Sequence, residues 1–217
     1  MSSQSLKAEY QKWLWMLAVA DIVVMLLFLT PGFSPKADLS QLANWRLLTT
    51  IIVPVVVLLL VNALPHKLKC MLVYWKPYGW LPGCEAFTKF ALEDVRIDMK
   101  ELCKNVGDFP SEQTEQNARW YQLYKLVENE AEITEVHRQF LMYRDMATLS
   151  LPFIALAPLC LFWAGAPSEA QWIGAGIFLI QFVLAAISSR WGGVRFVCNV
   201  LALHSARTIN GAKVGRR

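Results

Sequence analysis

The chain has 217 residues, 55% of them hydrophobic, with 21 Lys and Arg against 17 Asp and Glu and a net charge of +4. Its mean hydropathy is positive, which is more apolar surface than one soluble core of ordinary composition covers. The modest charge leaves nucleic-acid binding a secondary reading confined to the basic tail, and the odd, scattered set Cys70, Cys84, Cys103, Cys160 and Cys198 argues against a disulfide framework.

The apolar residues are concentrated. Crossing a bilayer takes about 20 apolar residues at helical rise, and four segments meet that need: 13–30, 47–64, 146–168 and 170–189. They predict an all-α integral membrane protein of two transmembrane hairpins, residues 1–65 and 146–190, with an inserted helical domain over 66–145 and a tail over 191–217. Lys7 and Lys12 before the first segment also suit a signal peptide, but Thr30, Pro31, Gly32 and Phe33 offer no small-x-small cleavage site. Pro152 and Pro158 in the third segment predict kinks, since each removes a backbone donor.

Charge sets the orientation. Lys and Arg near span ends are retained on the cytoplasmic side. Here Lys7, Lys12, Lys67, Lys69, Lys76, Arg190, Arg195, Arg207, Lys213, Arg216 and Arg217 fall on one face, against Lys36 and Arg46 on the other. Both termini and the 66–145 domain are therefore expected in the cytoplasm, in a bacterial-type inner membrane. Trp13, Trp15, Trp45, Trp163, Trp172 and Trp191 fall near the expected interfaces.

Within the inserted domain, the prolines and glycines of 76–90 predict a loop carrying Tyr78, Trp80 and Phe87. Asp98 and Glu101 form a helix start of the capping-box kind, and Gly107 ends that helix. A longer helical pattern follows Pro110 and Ser111. Trp120, Leu123, Tyr124 and Val127 keep one phase, while Ile133, Val136, Phe140 and Leu141 keep another, so a bend or two helices are expected near Glu130. Glu128, Glu130, Glu132 and Glu135 read as a solvated face. The later helix should run through Tyr143, Arg144 and Asp145 into the third span, coupling domain to membrane. After Gly192 and Gly193, the residues Val194, Val197, Leu201 and His204 predict a basic amphipathic helix on the inner leaflet.

Two polar sets are candidate sites. Asp21 lies eight residues into the first span, about 12 Å at helical rise, and Gln181 lies eight residues from the end of the fourth. A charged aspartate at that depth costs about 2.5–3.5 kcal/mol on insertion scales, so the two should meet. Such a pair serves as an ion or proton site, as part of a ring in an oligomer, or as a packing clasp. The second set is Arg96, Asp98, Gln116, Asn117, Arg119, His137 and Arg144. These suit an anionic or nucleotide-like ligand, or equally buried ion pairs and helix-end bonds.

His66 and Cys70 share a helical face, but no further ligand spacing accompanies them. The chain has no phosphate-binding Gly-Lys loop, nucleophile elbow or dinucleotide fingerprint, so no cofactor, metal or catalytic residue is expected. The expected function is a membrane sensor or effector. Its cytoplasmic domain binds a ligand or soluble protein and acts on the spans, with a homo-oligomeric pore as one output. By architecture it compares with bacterial stress or phage-defence components. A scaffold recruiting a soluble partner is the first alternative, and an enzyme acting on a lipid or nucleotide-like substrate the second.

Overall fold

The computed structural model describes residues 3–28, 55–56, 59, 63–76, 79, 81–163 and 165–209. The second expected span, 47–64, lies for the most part outside them, as do Lys36, Arg46 and the tail beyond residue 209. The described residues are helical, with no strand among them: α1 (Ser3–Phe28), α2 (His66–Tyr74), α3 (Met99–Val106), α4 (Gln113–Val127), α5 (Ala131–Trp163) and α6 (Ser168–Ala206). Of these, α5 and α6 are long and apolar enough to cross a membrane. At 39 residues, α6 is about 58 Å long, roughly twice the hydrocarbon thickness of a bilayer.

The chain divides into two compact units: residues 1–6, 70–141 and 188–217 form one, and residues 7–69 and 142–187 the other. The first is a globular helical domain. Its core contains Phe87, Leu102, Trp120, Leu123, Val127, Ile133 and Val136, closed by Phe196, Val197, Val200 and Leu201 of α6. Phe196 stacks on His137 at 4.6 Å and meets Trp120 and Tyr124 edge-on, both at 5.1 Å. The face expected on the inner leaflet thus has a protein partner instead. Gly192 and Gly193 do not start a new element, because the helix continues through them. They permit close approach: a Cβ on Gly192 would lie 3.4 Å from the Phe140 backbone, and one on Gly193 would collide with the Tyr74 hydroxyl.

Segment 76–90, expected as a loop, contains a 3-10 turn over Pro82–Glu85 and a π-helical turn over Ala86–Phe90. What closes the turns is Gln116, which is 1% exposed. Its Oε1 accepts from the Phe87 and Thr88 N–H groups at 3.1 and 3.3 Å, satisfying donors that a helix start leaves free. Asp98 caps α3 by accepting from the Lys100 and Glu101 N–H groups, and Gly107 ends it at φ +87°. Glu101 does not reach back to the cap. It pairs with Lys104.

The phase shift near Glu130 is a break between α4 and α5, and α5 then runs unbroken through residues 143–145 and past Pro152 and Pro158 to Trp163. The acidic run at this break is paired: Glu128 with Lys125, Glu130 with Arg207, Glu132 with Asn199, and Glu135 with Arg138. Glu130, Glu132 and Glu135 stand just before or within the first turns of α5, where the helix dipole favours negative charge.

Inside the globular domain, Leu123→Ala is expected to cost about 2–5 kcal/mol by opening a cavity at a fully buried position. Val95→Ala, at a fully exposed position, should change stability by less than about 0.5 kcal/mol. Denaturant unfolding of the two variants checks the contrast. His204 is fully buried and donates from Nε2 to the Leu123 carbonyl at 3.0 Å. Burial, with Arg119 and Arg207 adding to it, holds its ring below the ordinary histidine pKa despite the opposing carbonyl bond. The unfolded chain therefore binds the proton more readily, so stability present above about pH 6.5 is lost as the pH falls below it. Unfolding midpoints taken at falling pH should decline, with a shallower slope in His204→Gln.

Candidate functional site

In the second unit the distribution of polarity is reversed. On α1, residues Tyr10, Leu14, Ala18, Asp21 and Met25 recur at helical spacing and are all buried, while Met16, Val19, Val23 and Leu27 of the opposite faces are exposed. Trp163, Trp172, Ile180 and Leu184 of α5 and α6 are exposed as well, Trp172 to 77%. The interior is where the polar groups lie: Asp21, Lys69, Arg144, Asp145, Thr148 and Ser150 are buried. Apolar packing fills the rest, with Phe153 stacked on Phe178 at 5.2 Å and Leu161 closed over Ala166 and Ala170.

Two polar clusters hold the helices of this unit, one joining α1, α5 and α6 and the other α1, α2 and α5. In the first, Gln181 Nε2 donates to Asp21 Oδ1 at 3.1 Å and to Ser150 Oγ at 2.9 Å. The Ser150 hydroxyl donates to the Met146 carbonyl at 2.9 Å. The structure therefore brings Asp21 and Gln181 together and adds Ser150, a residue not singled out from sequence. Serine in an apolar helix is common, and nothing in the sequence distinguishes this one except its depth on α5.

The second cluster was not legible as a cluster. Asp145, 1% exposed, accepts from Arg144 Nε and Nη2 at 2.9 and 2.7 Å, from Lys69 Nζ at 3.1 Å, and from the Tyr10 hydroxyl at 3.2 Å. Burial, then the Asp145 charge, pushes the Tyr10 hydroxyl far above its ordinary range, so it remains a donor. Arg144 Nη1 also bonds His66 Nδ1, which makes that nitrogen an acceptor and the ring neutral. One carboxylate thus sits between two cations, with tyrosine filling a further lone pair. Such burial is tolerable only when the geometry is this complete.

The remaining sequence candidates have separate local duties in the globular domain. Arg96 forms a fork with Asp94 at 2.7–3.3 Å, holding that carboxyl down at about 2. Asp98 caps α3 and exchanges bonds with the Ser205 hydroxyl. Gln116 closes the π-helical turn, and Asn117 packs beside Gly83. Arg119 donates to the Val106 carbonyl at the end of α3. His137 Nδ1 meets the Tyr124 hydroxyl at 3.1 Å. Arg144 belongs to the other unit. Each of these contacts caps a helix end or packs the core. Among the described residues no cluster of three or more His, Cys, Asp or Glu suits a metal ion.

No family model, curated protein or solved structure matches the chain.

Removing Asp145 as Asn leaves Lys69 and Arg144 facing each other without a counter-charge, and a loss of about 3–5 kcal/mol is expected. Lys69→Met should cost less, because Asp145 keeps Arg144 and Tyr10. Thermal unfolding of the purified full chain in one detergent gives the order directly.

Proposed function

We propose that the chain is an integral membrane sensor or effector, with spans 13–30, 47–64, 146–168 and 170–189 in the bilayer and residues 66–145 in the cytoplasm. The observation carrying this reading is the reversed polarity of the second unit, where charge and hydroxyl groups are inside and tryptophan, isoleucine, leucine and valine side chains outside. Water penalises such an exterior, and large exposed apolar surface marks a membrane or partner contact. Hydrocarbon tolerates it, provided polar groups are satisfied within.

On this reading four spans, 13–30, 47–64, 146–168 and 170–189, leave both termini inside a bacterial-type inner membrane. The globular domain receives a ligand or protein partner. Its response passes along α5 and α6, each of which supplies residues to both units. A homo-oligomer with a central pore is one output of this reading, with Asp21 acting from inside the bundle of its own protomer. Recruitment of a soluble partner is a second reading, favoured by Leu92 and Val95, both exposed on the domain and three residues apart in the chain.

Topology is tested with single cysteines in a chain otherwise freed of them. Glu169→Cys should react with a membrane-impermeant maleimide on intact cells, and Lys104→Cys only after permeabilisation; the reverse pattern, or release of the protein by alkaline carbonate, would sink the membrane reading. For the pore version, Asp21→Asn should change ion flux in reconstituted vesicles several-fold. Unchanged flux would leave recruitment as the output.

A further inference from the structure

The hydrogen-bond inventory around Asp21 leaves one atom over. Asp21 is 1% exposed, and its Oδ1 is held by Gln181, but Oδ2 is buried with no partner among the described residues. The nearby donors among the described residues are spent. Gln181 Nε2 uses its second proton on Ser150, and Ser150 uses its hydroxyl proton on the Met146 carbonyl. Counter-charge is missing too: among the described residues Asp21 takes part in no ion pair. Residues 13–30, 47–64 and 170–189 contain no other ionisable side chain, and 146–168 contain only Cys160. The charged groups of the unit's interior, Lys69, Arg144 and Asp145 with Tyr10 and His66, are engaged with one another.

An ionised carboxylate in this position would place an unpaired charge against hydrocarbon side chains, whereas the neutral acid leaves only an unpaired hydroxyl. The second is far less costly. We infer that Asp21, Gln181 and Ser150 form a proton-binding site within the helical bundle, occupied at neutral pH. With the proton on Oδ2, Oδ1 keeps its bond from Gln181, so the same three side chains serve the protonated state. Giving up the proton breaks only the O–H bond of the carboxyl group. The proton passes to water, and water must reach Oδ2 before the carboxylate is stable. Deprotonation and loosening of the contact among α1, α5 and α6 are therefore linked, each favouring the other. The site would make any response of this bundle sensitive to proton concentration.

This goes beyond the sensor reading and rests on it only for the depth of the site. Infrared spectroscopy of the full chain in nanodiscs, with aspartate carrying carbon-13 in its side-chain carboxyl, reads the proton directly. At neutral pH a carboxylic-acid C=O band that moves with the isotope is expected. It should be unaffected by replacing potassium with sodium, should shift in Gln181→Leu, and should disappear in Asp21→Asn. If the Asn variant does not fold, Asp21→Glu serves: the acid band should then no longer respond to labelled aspartate. Finding only carboxylate bands from Asp21 at neutral pH, or a carboxylate band that responds to sodium, overturns the proposal. Cysteine topology and the infrared band are independent, so failure of one is distinguishable from failure of the other.

Discussion

The buried carboxylate of Asp145 is the interaction on which the second unit turns. It gathers a tyrosine from α1, a lysine from the start of α2 and the arginine beside it on α5, so three chain segments far apart in sequence share one acceptor. Each partner answers part of the cost of the others' burial. The two cations need a negative charge, the carboxylate needs its lone pairs filled, and the tyrosine hydroxyl needs an acceptor. A set like this specifies one arrangement of helices more sharply than apolar side chains do, since sliding any helix by a turn leaves a charge without its counter-charge.

The globular domain solves a different problem by a related device. Short helices expose many backbone groups at their ends relative to their length. Here side chains from distant helices answer them: Gln116 at the π-helical turn, Arg119 at the end of α3, and Asn105, whose Nδ2 donates to the His204 and Ser205 carbonyls at 2.9 and 3.3 Å. Gln116 and Arg119, two of the polar candidates in the sequence, thus let short elements stop inside a core.

How much of this could be read from the sequence follows from the range of each interaction. The break between α4 and α5 was legible because it shifts a local hydrophobic phase. The cap at Asp98 was legible because donor and acceptor lie within three residues. Asp21 and Gln181 were paired because each is a lone polar group at a matching depth, which restricts the partners. Lys69 and Asp145 were not paired, because lysine and aspartate at the ends of apolar stretches look the same whether they face water or each other. The role of Gln116 at the π-helical turn is hidden for a similar reason: its partners lie 28 and 29 residues away, and nothing local signals them. Gly192 and Gly193 suggested a boundary because glycine weakens helices. Only the nearness of Phe140 and Tyr74 reveals that the helix needed room there.

The position of α6 in the domain core has a consequence for the order in which the molecule can be made. Residues 70–141 leave the ribosome well before Phe196, Val197, Val200 and Leu201, yet those late residues form one wall of the core that contains Leu123 and Ile133. Until they arrive, that wall is open and its apolar side chains face solvent or a chaperone. The domain therefore closes only after residues 142–187 have been synthesised.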